Sequence, residues 1–285
     1  MSDPAVGVHC VPTPVRRTPV PAHTAARAQP RTAHNEGVTH DIPAPPAVLD
    51  RRTGPYGEVV LRRHGELLQI IANGTFLMDT SGGDSERLLV RAALAALPPE
   101  RAAPSVLIGG LGVGFSLTEA VAEPRWGHIT VVEREPAVVD WHRPGGPLSA
   151  LTADALADPR TEVVQADLIR FLREGAPEPD AGTEPGGARA QQAAATGRFD
   201  ALCLDIDNGP GWTVTEGNGC LYTPDGLTAC AARLAPGGVL AVWSAQPSPG
   251  FEDTMRNAGF QDVRTEEVAV ARGVPDLVHV ATKPA

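Results

Sequence analysis

Apolar and polar positions along this chain change period several times, and each change predicts an element. Within residues 48 to 78 the two classes alternate in short runs, Gly57 to Arg62, Leu67 to Ala72 and Thr75 to Met78, and a period of two predicts strands. His64-Gly65 and Asn73-Gly74 separate these runs and read as hairpin turns, so the stretch is expected to form a small β lobe. Asp84 to Leu97 follows with Leu88, Leu89, Ala92, Ala93 and Ala96 on one helical stripe. Beyond it, strands are predicted near 104–109, 128–133, 161–165, 199–205, 238–244, 261–270 and 276–282, and helices such as Phe115 to Val121 and Leu168 to Arg173 occupy most of the gaps. Alternation of this kind requires a mainly parallel sheet covered on both faces, with ligands at the carboxyl ends of the strands. The expected fold class is α/β: a seven-stranded, mainly parallel Rossmann-like sheet with a reversed edge strand, behind a small N-terminal β lobe.

Two segments break the pattern. Residues 1 to 45 are rich in Pro, Ala, Thr and Arg without periodicity, and are expected to be a disordered tail because they cannot bury enough apolar surface to offset chain ordering. Gly175 to Gly197, GAPEPDAGTEPGGARAQQAAATG, reads as a flexible insertion between a helix and a strand. The expected domains are therefore the tail (1–45), the β lobe (46–83) and an α/β domain (84–285).

Composition narrows the function classes. With 285 residues, 42% hydrophobic and 20% charged, the chain is long enough for one large core. A net charge of −10 argues against a nucleic-acid partner, whose phosphates reward clustered Lys and Arg. The longest apolar run, Leu67 to Ala72, is too short to span a bilayer, and the first residues lack an apolar signal core, so no membrane partner is expected. Cys10, Cys203, Cys220 and Cys230 show no C-x-x-C spacing, and a reduced cytoplasmic protein without a metal is the simplest account.

The densest chemistry lies in residues 106 to 133, VLIGGLGVGFSLTEAVAEPRWGHITVVE. A buried strand runs into Gly109, Gly110, Gly112 and Gly114, then a helix, then a second strand ending on Glu133. Glycines at such a turn let ligand atoms approach the backbone, and an acid at the tip of the next strand accepts hydrogen bonds from two ribose hydroxyls. The third glycine of the dinucleotide fingerprint is missing, since Phe115 holds its place, which makes a nicotinamide dinucleotide a poor fit. The tight G-x-G-x-G form instead resembles class I methyltransferase-like folds, where it surrounds the amino-acid tail of S-adenosylmethionine. Arg134, beside Glu133, joins the expected cofactor set, as do Asp167 and Leu168 after the third strand of the α/β domain. Asp167 reads either as the acceptor for an adenine amine or as a helix N-cap.

After the fourth strand come Asp205, Asp207 and Asn208, backed by Gly209-Pro210. Carboxylates there are placed to hold an acceptor amine, take its proton or balance a sulfonium, or they simply shape a turn. Gly211 to Tyr222 is expected to be a lid, with Trp212 and Tyr222 either covering the acceptor or packing on the sheet. Trp243 ends the next strand near the same cleft, and His142 reads as a surface residue.

Over roughly residues 48 to 270 the chain resembles the spermidine synthase family. The resemblance rests on Tyr56-Gly57-Glu58-Val59, Ala72-Asn73-Gly74, Asp79-Thr80-Ser81 and Ser85-Glu86, then on Gly109 to Gly114, Glu133, Gln165-Ala166-Asp167 and Leu204-Asp205 with Gly209-Pro210. Leu221 to Leu227 and Leu234 to Leu240 extend it. It implies a methyltransferase-type sheet behind a β lobe, a small-molecule acceptor, and S-adenosylmethionine or its decarboxylated form as cofactor, and it leaves a homodimer possible. The departures matter as much. The family carries an acid within the glycine motif where this chain has Leu111, and a Tyr-Gln pair where it has Leu89 and Val90, while of the usual polyamine contacts only the Asp205 position is clearly kept. The expectation is a transferase that uses S-adenosylmethionine itself, moving a methyl or aminocarboxypropyl group to a small amine, with Asp205 and Asp207 facing the acceptor. A polyamine aminopropyltransferase and a non-catalytic nucleotide-binding protein are the alternatives.

Overall fold

The computed structural model describes residues 45–175, 197–215, 217–270 and 273–285, and Pro46–Ala285 form one compact unit. The expected tail and insertion lie, apart from their end residues, outside the described residues.

The β lobe is an antiparallel sheet in the order β1 (Ala47–Gly54), β2 (Gly57–His64), β3 (Leu67–Ala72), β4 (Thr75–Asp79). Its turns fall at Pro55-Tyr56, Gly65-Glu66 and Asn73-Gly74, the second displaced by one residue from the expected pair. Strand β1 has no sequence signal, because AVLDRRTG is exposed along almost its whole length and shows no alternation. It is held by its ladder with β2 and by polar ties to residues 140 and 141: Trp141 Nε1 donates to Asp50 Oδ2 at 2.8 Å, and Arg52 Nη1 to Asp140 Oδ2 at 2.6 Å.

Helix α1 (Asp84–Ala96) leads into the α/β domain, whose strands are β5 (Ser105–Gly109), β6 (His128–Glu133), β7 (Thr161–Gln165), β8 (Phe199–Leu204), β9 (Leu234–Ser244), β10 (Gln261–Val268) and β11 (Asp276–Thr282). They form one sheet in the order β10-β11-β9-β8-β5-β6-β7. β11 runs antiparallel to both neighbours, so the reversed strand is second from the edge and β10 is the edge strand, a correction to the expected edge reversal. The edge position goes to β10 because its exposed, charge-rich pattern tolerates solvent, whereas β11 is buried along most of its length.

Helices α2 (Phe115–Ala122), α3 (Pro136–His142) and α4 (Ser149–Ala157) pack with α1 on one face; α5 (Leu168–Glu174), α6 (Pro224–Arg233) and α7 (Phe251–Asn257) cover the other. Successive side chains of a strand point to opposite faces, so Val106 and Ile108 join the first core and Leu107 the second.

The chain winds from β5 outward through β6 to β7, then returns to place β8 on the other side of β5. Crossover connections therefore leave the β5 and β8 ends in opposite directions, and a crevice opens between them. Gly110 sits at that divide with φ 93°, and a Cβ there would stand 2.2 Å from the Asp205 carbonyl oxygen. Only glycine satisfies both conditions. Gly110→Ala is expected to lower unfolding stability by at least the roughly 1–3 kcal/mol of a strained backbone residue; an unchanged urea midpoint would show that this close approach does not hold the two strand ends together.

Candidate functional site

A cavity of about 1100 Å³ lies over the carboxyl ends of β5, β6, β7 and β8, roofed by the β lobe and by the segment after β8. Ten of its lining residues are Asp or Glu, and Arg134 is the one Lys, Arg or His among the described lining residues. Such a chamber attracts cations and repels free carboxylates.

Gly110 and Gly112 line the cavity, whereas Gly109 is inside the strand and Gly114 caps α2, its N–H donating to Leu111 O at 2.8 Å. A Cβ on Gly112 would meet Met78 Sδ of β4 at 2.4 Å, so the lobe closes directly on the glycine loop. His142 supports the loop from beneath. It is buried, not a surface residue as expected, with Nε2 2.9 Å from Gly112 O and Nδ1 2.8 Å from Thr152 Oγ1. A carbonyl only accepts, so Nε2 carries the proton and Nδ1 accepts from the threonine. Burial holds the imidazole below its usual pKa and keeps it neutral.

Glu133 ends β6 with both oxygens engaged: Oε2 accepts from Leu111 N at 2.9 Å and Oε1 from Glu135 N at 2.8 Å. Burial pushes its carboxyl up, and these two N–H groups oppose the rise. Each oxygen keeps acceptor capacity for a ribose hydroxyl. Asp167 caps α5 through Oδ1, which accepts from Arg170 N at 2.9 Å, and both Asp167 and Leu168 line the cavity. Arg134 spans elements: its guanidinium lies 4.3 Å from the centroid of the Tyr56 ring, and Nη1 donates to Asn218 Oδ1 at 3.0 Å. It ties the lobe to the segment after β8.

Asp205 and Asp207 occupy different environments. Asp205 is half-buried at the cavity floor, where Ser116 Oγ donates to its Oδ2 at 2.9 Å. Its carboxyl is pushed up to about 7, first by burial and then by the neighbouring charge of Glu86. Asp207 lies in the left-handed region (φ 58°) and gathers the following loop: Oδ1 accepts from Asn208 N (3.0 Å) and Val214 N (2.7 Å), Oδ2 from Thr215 N (2.8 Å) and Asn218 Nδ2 (3.0 Å). Four donors on one carboxylate make it the organiser of this loop. Asn208 is buried and its carbonyl accepts from Ala245 N at 3.2 Å, pinning the loop to the end of β9. Trp212 and Trp243 line the cavity, Trp212 being 49% exposed. Tyr222 does not face the cavity; its hydroxyl donates to Ile206 O at 2.8 Å and its ring packs edge-on against Phe251.

Three contributors had no role in the sequence reading. Glu86 of α1, Asp276 at the start of β11 and the hydroxyl of Ser85 meet at the floor beside Asp205, with Ser85 Oγ 2.9 Å from Glu86 Oε2 and 2.8 Å from Asp276 Oδ2. Ser85-Glu86 was visible as a motif. Asp276 carried no signal, because it lies 191 residues from Ser85 and is delivered by the reversed strand.

No protein-family model matches the chain. It is 30% identical over 219 residues to a polyamine aminopropyltransferase of Mycobacterium tuberculosis, covering 75% of this chain and 37% of that protein. It is 40% identical over 143 residues to polyamine aminopropyltransferase 1 of Streptomyces coelicolor, covering 50% of this chain and 22% of that one. The chain thus spans between about a fifth and little more than a third of the length of the curated relatives it matches. Among solved structures, the spermidine synthase of Thermotoga maritima superposes with a TM-score of 0.61 at 17% identity, covering 83% of this chain and 73% of that one. The chain is spermidine synthase-like, in the class I methyltransferase-like fold. Within this spermidine synthase-like cavity, Leu111 is buried away from the lining, and its N–H, not its side chain, serves the site through Glu133. Among the described residues no helix is long and apolar enough to cross a membrane.

Asp207→Asn keeps the left-handed tolerance of the position but replaces one acceptor oxygen with an NH2 that faces donors. Amide exchange at Val214 and Thr215 is expected to rise sharply, with a stability loss of about 1–3 kcal/mol for the buried donors left unpaired. Unaltered protection at both amides would refute this organising role.

Proposed function

We propose that this chain is an S-adenosylmethionine-dependent transferase that alkylates a small amine, moving the methyl or aminocarboxypropyl group. One observation carries the reading: a ten-carboxylate cavity built against Gly110 and Gly112 with Asp205 at its floor. The residues fit the cofactor. Gly110 and Gly112 bring bare backbone to the cavity wall, Glu133 stands ready for ribose hydroxyls, and Asp167 and Leu168 flank the adenine position. The sulfonium supplies an already activated carbon, so the protein's work is alignment and exclusion of water.

Asp205 has the leading catalytic role. Ionised, it orients an acceptor amine and takes its proton as the nitrogen becomes a nucleophile; its elevated pKa suits a base working near neutral pH. Asp207 acts by fixing the lid, and Arg134 by joining lid to lobe, so that Trp212 and Trp243 enclose the acceptor. The acceptor, cationic before it loses its proton, is drawn in by the surrounding acids.

A second reading, a polyamine aminopropyltransferase using decarboxylated S-adenosylmethionine, is favoured by the excess of acid over cation, which disfavours a ligand carboxylate. The loss of the glycine-motif acid at Leu111 weighs against it. Calorimetry with both compounds separates the two: binding of S-adenosylmethionine supports the first, and binding of the decarboxylated form alone overturns it. With the preferred donor and an amine acceptor, Asp205→Asn is expected to reduce turnover about 10²–10⁴-fold, the usual contribution of a general base, while affinity for the thioether product stays near that of the unchanged protein. Full turnover by Asp205→Asn would remove the residue from the mechanism.

A further inference from the structure

The acids at the cavity floor can be counted against the protons available to them. Ser85 Oγ makes two short contacts, to Glu86 Oε2 at 2.9 Å and to Asp276 Oδ2 at 2.8 Å, yet a hydroxyl has one proton to donate. Both contacts are full two-centre hydrogen bonds when one of the two carboxyl groups carries a proton and donates it to Ser85; with both ionised, a single hydroxyl proton is shared between two anions. Ser116 repeats the constraint one step along: its Oγ lies 2.9 Å from Asp205 Oδ2 and 3.3 Å from Glu86 O, so its proton serves Asp205. Among the described residues, none of Glu86, Asp205 and Asp276 forms an ion pair. Arg87, the cation bearing on Glu86, instead lies over the Phe115 ring at 4.6 Å and donates to Gly82 O.

Resting on the transferase reading above, we infer that Glu86 and Asp276, acting through Ser85 and Ser116 on Asp205, are positioning residues that hold a proton at the cavity floor and exchange it for the positive charge of the ligand. The sulfonium centre enters, one carboxyl O–H bond breaks, and the proton passes to solvent. The floor gains one negative charge as the ligand brings one positive charge, so the local charge is conserved and no co-reactant is needed. The exchange makes affinity for the sulfonium depend on pH, whereas a thioether of the same shape leaves the proton in place.

The surroundings support this direction. Asp205 is faced by Glu86 from α1, Asp276 from β11 and Glu133 from β6, all negative when ionised, with Ser116 of α2 as its hydrogen-bond donor. Burial raises Glu86, Asp276 and Asp205 alike, and their mutual repulsion adds to it for Glu86 and Asp205. Cys203 on β8 and Tyr222 behind the lid are pushed up in turn and stay uncharged. A group with a raised pKa is protonated at lower pH and must lose that proton to meet a cation. Affinity for a cationic ligand therefore rises with pH towards and through neutrality, at most about tenfold per pH unit for one exchanged proton.

Titration calorimetry of the full chain at pH 7, in phosphate and in Tris, tests this with S-adenosylmethionine against S-adenosylhomocysteine, and with the same two compounds lacking the carboxylate. The sulfonium of a pair is expected to release protons and to bind more tightly as pH rises, while its thioether does neither. Asp276→Asn, which removes one negative neighbour, is expected to shift the rise to lower pH and shrink the release at pH 7, and Ser85→Ala to alter both without changing charge. The comparison of sulfonium with thioether in the unaltered protein needs no variant. If both members of a pair bind with equal proton release and the same pH dependence, the exchange is overturned and the cofactor reading stands; if no S-adenosyl compound binds, the reading falls and the exchange with it.

Discussion

A parallel sheet that winds outward in one direction and then in the other must part at the strand where it turns back, and in this chain that strand is β5. The break lies between the ends of β5 and β8, so the loop after β5 has to leave through a space already narrowed by the Asp205 backbone. Gly110 solves the steric problem, with a conformation and a clearance that no side chain allows. Once that loop is seated, Leu111 N reaches Glu133, His142 reaches Gly112 O, and Met78 of the lobe comes down on Gly112. The binding face is thus a consequence of strand order before it is a consequence of any charged residue.

The charged residues then meet an unusual demand. The cavity gathers ten acids with one arginine, and burial makes each uncompensated carboxylate expensive. The structure meets the demand with neutral donors: two backbone N–H groups on Glu133, four N–H groups on Asp207, and serine hydroxyls on Asp205, Glu86 and Asp276. Hydrogen bonds of this kind stabilise an anion without filling the site with a resident cation. Where donors run short, as on the floor around Ser85, protons take their place. Arg134 stands apart, placed across Tyr56 and Asn218 where it joins the β lobe to the loop after β8.

Much of this was legible in residue order. Apolar periodicity located the α/β strands and helix α1 to within a few residues, since strands buried on both faces and a striped helix leave patterns that local side-chain burial dictates. The glycine run, Glu133, Asp167 and Asp205 followed from strand ends, because a residue just past a parallel strand faces the crevice. Strand β1 escaped, having little buried side and depending on Asp50 meeting Trp141 of α3. The reversed strand was placed at the edge because β10 and β11 each read only as strands, and pairing order is not a local property. His142 looked like surface until the α4 residue Thr152 supplied its partner.

The amino-acid sequence by itself determined which segments are strands and helices, where glycine is obligatory, and which acids stand at the strand ends, because each depends on neighbours a few residues away. Tertiary structure alone decided what those acids do. Asp205 and Asp207 are two residues apart, yet one stands beside the acids Glu86 and Asp276 and the other is surrounded by loop amides. A carboxyl group's protonation and reach depend on the charges and donors packed around it, and those arrive from helix α1, strand β11 and the loop after β8, segments brought together only when the sheet closes.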